Sequence, residues 1–198
     1  MRGSASVPLT DHWLAPYLDR FPRSGWLLDL GCGPGEDSAV LRERGFQVVS
    51  TDSMPRQLAM ARGRLGAAAL LRVDHRHPLP FRDGVFSGAI ASLSLHYMRW
   101  EVTLAAFAEM NRVLEAGAPF LFRVNATDDV NFGALEGIEV EPGLRANDES
   151  PYSDLKRFFD EPMVRAAAST FTIEVLQHVQ IDRYEKPKQV WECLAHAR

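Results

Sequence analysis

The chain has 198 residues, 46% hydrophobic and 24% charged, the balance of a soluble globular protein of one domain at roughly 150 residues per domain. Its 22 basic and 26 acidic residues give a formal net charge of −4, which argues against nucleic acid as partner because phosphate neutralisation needs a surplus or patch of Lys and Arg. Cys32 and Cys193 fit neither a disulfide framework nor a metal-ligand spacing, no apolar run reaches the roughly 18 residues of a membrane span, and no signal-peptide pattern opens the chain, so a reducing, cytoplasmic compartment with no membrane partner and no metal is expected.

Trp13, Leu14, Tyr17, Leu18 and Phe21 recur at helical spacing and predict a helix over 11–21. Trp26-Leu27-Leu28-Asp29-Leu30 reads as a buried strand that runs into the turn Gly31-Cys32-Gly33-Pro34-Gly35. A helix over 36–44 follows, closed by Gly45. A second strand covers 46–51 and ends at Asp52, a helix covers 54–64, and a third strand covers 70–73 and ends at Asp74. The proline-bearing stretch 75–85 reads as loop. A fourth strand is expected over 86–92, then a helix over 100–115 with Leu104, Phe107, Ala108, Val113 and Leu114 on its buried side, then a fifth strand over 119–124.

To this point strands and helices alternate, which means right-handed crossovers and a parallel sheet covered on both faces. The rhythm breaks in 125–153, an irregular stretch holding Asp128, Asp129, Glu136, Glu139, Glu141, Asp148 and Glu149; such a long stretch is usually a functional lid or a disordered excursion. A helix over 160–169 follows, with Asp160 as N-cap and Pro162 in its first turn. Strands over 171–181 and 189–196 are joined closely enough for an antiparallel hairpin. The expected fold class is α/β: a doubly wound, seven-stranded sheet, mostly parallel, with an antiparallel C-terminal hairpin. The chain then divides into an N-terminal helix (1–25), a core (26–125), an insert or lid (126–160), and a C-terminal helix and hairpin (161–198).

Ligands of doubly wound sheets sit beyond the carboxyl ends of the strands, where strand order reverses. The glycine turn, Asp52 and Asp74 all fall there. Gly31, Gly33 and Gly35 allow a sharp strand-to-helix turn and close approach of a ligand to the backbone, and Asp52 follows Gly31 by 21 residues, the separation at which an acid accepts from ribose hydroxyls. Dinucleotides and S-adenosylmethionine both fit this frame. The third glycine comes one residue early for the dinucleotide pattern Gly-x-Gly-x-x-Gly. Asp29, Asp52 and Asp74 also suit a ligand with positive centres better than a pyrophosphate.

The run Leu27-Leu28-Asp29-Leu30-Gly31-Cys32-Gly33-Pro34-Gly35 resembles the first motif of class I S-adenosylmethionine-dependent methyltransferases. The likeness continues through Asp52-Ser53-Met54, Leu79-Pro80-Phe81, Ala91-Ser92-Leu93-Ser94-Leu95-His96-Tyr97 and Asn111-Arg112-Val113-Leu114-Glu115-Ala116-Gly117. Within that family the sequence is similar to the type 11 and tellurite-resistance-like small-molecule group, through Val124-Asn125, Lys156-Arg157-Phe158-Phe159 and Arg183-Tyr184-Glu185-Lys186. Phe86-Ser87 departs from the family's usual Phe-Asp.

The resemblance implies a Rossmann-like methyltransferase fold and S-adenosylmethionine as cofactor. It implies that Gly31 and Gly33 pack against the methionine part, with Cys32 and Gly35 in the same turn. Asp29 orients the amino group, Asp52 holds the ribose, Ser53 and Met54 flank the adenine, Asp74 accepts from its amino group, His75 lies beside the ring, and Ser92 faces the methionine end. The expected reaction is in-line methyl transfer to a small-molecule acceptor by a monomer or homodimer. The other readings are a cofactor-binding module without catalysis and a nicotinamide-dependent oxidoreductase. The acidic balance disfavours nucleic acid as acceptor, as does Ser92-Leu93-Ser94-Leu95 where amino-group methyltransferases carry Asn/Asp-Pro-Pro-Tyr.

Several residues carry two readings. Asp29 is a ligand or a structural partner of an Arg, and Asp74 a ligand or a turn cap. His96 is a general base beside the acceptor or a packed residue, with Tyr97 next to it at the acceptor end. Arg123 binds an acidic acceptor or ties down the acidic insert. Lys156 and Arg157 lead into a Phe pair that anchors the core. Trp13 and Tyr17 form a packing stripe or a lid over the cofactor. Cys32 is a packing residue and not a nucleophile, and His75 and His77 are solvated and not metal ligands.

Overall fold

A computed structural model describes residues 12–66, 69–146, 155–182 and 185–198. Its main sheet is seven-stranded. The strands are β1 (Trp26–Leu30), β2 (Gln47–Asp52), β3 (Leu70–Arg72), β4 (Gly88–Ser92), β5 (Pro119–Asn125), β9 (Phe171–Ile181) and β10 (Lys188–Ala197). Their spatial order is β3-β2-β1-β4-β5-β10-β9. The first five pair in parallel and the last two antiparallel, as expected from the sequence. The chain winds outward from β1 to β3 and returns to β4 on the other side of β1. The reversal point therefore lies between β1 and β4, at their carboxyl ends.

Alternation along the strands sorts the core. Ala89, Ala91, Phe120 and Phe122 face one layer, together with Phe107, Met110 and Val113 of α3 (Trp100–Val113) and Val164 and Ala167 of α4 (Glu161–Ala167). Ile90, Leu121 and Leu194 face the other, with Leu41 of α1 (Glu36–Glu43) and Trp13, Leu14, Tyr17, Leu18 and Phe21. Strands buried on both faces read as continuous apolar runs, which is why β1, β4 and β5 were legible.

The helices obey their local signals. Pro55 opens α2 (Pro55–Leu65), where a missing N–H costs nothing, and Gly66 closes it. The Asp160 side chain accepts from the Met163 N–H at 2.8 Å, as its N-cap role predicts.

Three expectations need correction. The N-terminal segment is a 3-10 helix, Ala15–Arg20, with Pro16 in its first turn; Trp13 and Leu14 precede it. Phe107, Val113 and Leu114 are buried as expected, but the buried face of α3 runs through Thr103, Ala106 and Met110, so Leu104, 38% exposed, and Ala108 face outward. The insert is not merely irregular. It carries a 3-10 turn, Val130–Phe132, and a second, antiparallel sheet of β6 (Ile138–Glu141), β7 (Leu144–Ala146) and β8 (Lys156–Arg157). Asp148, Glu149, Arg183 and Tyr184 lie outside the described residues.

Buried Arg157 ties this small sheet to the body. It donates to Glu141 at 2.5 Å and to the carbonyls of Pro142 at 2.8 Å and Met98 at 3.3 Å. Glu141 in turn accepts from the Trp100 N–H at 2.9 Å, filling one of the open donors at the start of α3.

Candidate functional site

A cleft of about 470 Å³ opens at the carboxyl ends of β1, β2 and β4, within the roughly 300–1,000 Å³ of small-molecule sites. The glycine turn forms its floor. Gly31 has φ +75°, and a Cβ there would overlap the Ser94 side chain. Ser94 is locked in turn, its hydroxyl donating to the Leu30 carbonyl at 2.6 Å. Gly33 has φ +53° and open space where a Cβ would stand, so its backbone is bare toward a ligand.

Asp52, at the end of β2, accepts from the Gly33 N–H at 2.9 Å and the Met54 N–H at 2.8 Å. Two backbone donors fix the carboxylate, and its remaining lone pairs are available for hydroxyl donors. Glu36 and Asp37 join Asp52 in the lining, which contains no Lys or Arg among the described residues. The cleft therefore favours positive charge and repels a pyrophosphate. On the opposite wall Leu93 is held at φ +56°, a left-handed conformation that costs a side-chain-bearing residue about 1–2 kcal/mol and accumulates at functional sites. His75 also lines the cleft, its Nε2 at 3.0 Å from the Ser94 carbonyl oxygen.

Residues 28–122 match the family described as methyltransferase domain. Malonyl-acyl-carrier protein O-methyltransferase of Serratia marcescens is 40% identical over 98 residues, covering 48% of this chain and 36% of that one. Trans-aconitate 2-methyltransferase of a Mycobacterium species is 34% identical over 113 residues, covering 52% and 44%. A solved S-adenosylmethionine-dependent methyltransferase from Methanosarcina mazei shares the fold with a TM-score of 0.77 over 91% of this chain and 96% of that one, at 18% identity. Residues 28–122 belong to that methyltransferase domain family, and the chain has the fold of S-adenosylmethionine-dependent methyltransferases. It spans about half the length of the first curated relatives it matches.

The methyltransferase cleft brings together Gly31, Cys32, Gly33, Asp52, Ser53, Met54, His75, Ser92 and Tyr97 of the residues expected from the sequence. Pro34, Glu36, Asp37, Gln57, Leu93 and Ser94 line it as well and were missed. Glu36 and Asp37 open the helix after the glycine turn, and that position was the available signal.

Other expected residues stand elsewhere. Gly35 is the left-handed N-cap of α1. Asp29 lies beneath the cleft, 1% exposed, and accepts from the Ser38 hydroxyl at 2.5 Å, which meets the Ser50 hydroxyl at 2.6 Å. Burial and the nearby Asp37 carboxylate push the Asp29 carboxyl up to about 8, against the hydrogen bond from Ser38. Its partner is thus a serine, not the arginine considered from sequence. Asp74 points to Arg76, which donates to it at 2.7 Å and, through that bond, holds its carboxyl down at about 2.

Arg123 is buried, its Nε donating to Glu192 of β10 at 2.6 Å, with its guanidinium 4.3 Å from the Trp13 ring centroid. This ion pair holds Arg123 within the sheet. Tyr17 also donates to Glu192, at 2.7 Å, and Trp13 donates to Asp37 at 2.9 Å. The aromatic stripe therefore packs against the sheet and also holds one acid of the cleft. Cys32 packs with Ala61 and Leu65, and burial pushes its thiol above the ordinary range.

His96 is 1% exposed and does not line the cleft. Its ring lies 4.2 Å from that of Tyr97, which does. Burial, then the charges of Lys156 and Lys188, hold its imidazole well below the usual range, so it stays neutral.

Proposed function

We propose that the protein transfers a methyl group from S-adenosylmethionine to a small-molecule acceptor by in-line displacement. One observation carries this reading: Asp52, fixed by two backbone donors, stands with Glu36 and Asp37 in a cleft that lacks Lys and Arg. Such a cleft suits a ligand with an ammonium and a sulfonium. S-adenosylmethionine supplies there a methyl activated by positive sulfur. Asp52 would hold the ribose hydroxyls, and Ser53, Met54 and Gln57 would frame the base. Gly31, Gly33 and Ser92 would face the methionine part, with Tyr97 at the acceptor side. Asp29 would act one layer below, setting the first motif through Ser38. A relative named for trans-aconitate, a small acid, supports a small-molecule acceptor.

Calorimetry with S-adenosylmethionine and S-adenosylhomocysteine tests the cleft. Asp52→Ala is expected to weaken binding by roughly 1.5–3 kcal/mol, the scale of charge-assisted hydrogen bonds. Unchanged affinity would sink the assignment, and so would stabilisation by a nicotinamide dinucleotide alone. Transfer of a labelled methyl group to a panel of small acids, amines and thiols then reads the activity.

A further inference from the structure

Among the described residues three carboxylates line the cleft, Glu36, Asp37 and Asp52, and they stand in different settings. Asp52 is fixed by the N–H groups of Gly33 and Met54. Glu36 is exposed and lies 3.6 Å from Arg64. Asp37 is gripped from outside the glycine turn. The indole Nε1–H of Trp13 donates to its Oδ1 at 2.9 Å, and Nε2 of His12 stands 3.3 Å from the same oxygen. The Leu14 N–H donates to Nδ1 of His12 at 3.3 Å, so in the neutral ring Nε2 carries the proton and faces Asp37. The Oδ2 atom of Asp37 has no hydrogen-bond partner among the described residues.

The grip is braced from behind. Trp13 is buried, its ring centroid 4.3 Å from the Arg123 guanidinium, and Arg123 is paired with Glu192 of β10. A carboxylate held by one oxygen leaves the other for a ligand, and it needs no ordering when the ligand arrives. Asp29, the acid of the first motif, does not fill this role. It lies beneath the cleft, bonded to Ser38, and with its carboxyl raised to about 8 it keeps its proton near neutral pH. His12 and Trp13 fall outside residues 28–122, the part that matches the methyltransferase domain. The grip on Asp37 is therefore added by the N-terminal segment of this chain.

We propose that Asp37 receives the ammonium of the cofactor's methionine part, and that Trp13, with His12, is the positioning residue that aims it. The proposal rests on the methyltransferase reading of the cleft and assigns one of its contacts. Oδ2 of Asp37 accepts from the ammonium while Oδ1 stays with Trp13 and His12. The N-terminal segment thus belongs to the cofactor site, although neither His12 nor Trp13 lines the cleft.

The test compares S-adenosylhomocysteine with its analogue lacking only the amino group, by calorimetry or displacement on the full chain. The parent is expected to bind S-adenosylhomocysteine at least about tenfold more tightly than the analogue. Asp37→Asn keeps an oxygen for Trp13 and removes the charge. It is expected to weaken S-adenosylhomocysteine roughly tenfold, to leave the analogue's affinity equal or higher, and so to cut the preference to about twofold or less. Trp13→Phe keeps a ring against Arg123 and removes only the Nε1–H, and is expected to cut the preference roughly threefold or more. Added to Asp37→Asn, the same change should alter the preference by less than about twofold, because its effect runs through Asp37. A Trp13 that only packs would instead weaken both ligands alike. The proposal is overturned if the parent shows no preference, if Asp37→Asn retains it, if Asp29→Asn removes it in place of Asp37→Asn, or if Trp13→Phe leaves it unchanged. Failure of the parent to bind S-adenosylhomocysteine would overturn the underlying reading, which the first titration measures separately.

Discussion

The glycine turn and the region around the end of β5 are built on opposite plans. At the glycine turn the shaping polar groups are held within the protein: Asp52 by two backbone N–H groups, Asp29 by Ser38, Ser94 by the Leu30 carbonyl. At the end of β5 and in the insert, the Asn125 amide and Nδ1 of His96 have no hydrogen-bond partner among the described residues, and the Lys156 ammonium donates to the Phe132 carbonyl. The charge also reverses, from the carboxylates of the cleft to Lys156 and Lys188 here. A finished surface presents a shape to its ligand and stands without it.

The largest effect expected from this contrast is at Gly31. Gly31→Ala adds a left-handed strain and a collision with Ser94, a cost of roughly 2–6 kcal/mol when the two are combined. Gly33→Ala meets nothing within 4 Å, so only the strain remains, about 1–2 kcal/mol, while its methyl stands in the cleft and S-adenosylhomocysteine affinity falls. Urea denaturation and calorimetry on both variants check this. Equal losses of stability would mean that the turn is not packed in this way.

The insert end has its own stabilising point. Lys188 and Asp129 form a buried pair, 5% and 0% exposed, and Asp129 also accepts from the Gln189 N–H at 3.0 Å. Asp129→Ala leaves a buried ammonium unpaired and is expected to cost roughly 3–5 kcal/mol. Asp129→Leu combined with Lys188→Met is expected to recover most of that, because apolar residues of similar size replace a buried pair at little net cost. A double variant as unstable as the single one would show that the pair itself, and not the stranded charge, stabilises the insert.

The difference between the halves also explains what sequence could reveal. The glycine turn, Asp52 and the apolar runs of β1, β4 and β5 were legible because backbone conformation and burial on both faces dictate residue type locally. β6, β7 and β8 have four, three and two residues, too short for an alternation to emerge, and they are held by Arg157 reaching to Met98 and Glu141. Such a contact has no periodic trace. The partner of Arg123 was hidden for a related reason. Its place at the end of β5 suggested the cleft, but Glu192 sits directly opposite in the register of β10. The Thr103 face of α3 was missed because a threonine was buried where a leucine one residue later looked the better candidate.

Asp29 and Asp74, both expected at the cofactor, separate on the same principle and give the smaller effects. The Asp29 carboxyl is raised from 3.8 to about 8, so the folded state binds its proton more readily than the unfolded chain. Stability contributed by that proton is present at low pH and is lost as pH rises from about 4 through about 8. Compared with Asp29→Asn, the parent's Tm should decline over that window, and a flat difference would contradict a buried, raised carboxyl.

Asp74 shifts the other way, to about 2, because of Arg76. Its contribution is present above the ordinary carboxylate range and is lost as pH falls toward 2. Because the pair is at the surface, that contribution is no more than about 1 kcal/mol. Asp74→Asn at neutral pH is therefore expected to change Tm little and to leave S-adenosylhomocysteine affinity unchanged within about twofold. A tenfold loss of affinity would mean that the base of the cofactor reaches past Met54 to displace Arg76. The finished half of the site would then extend one strand further, to the end of β3.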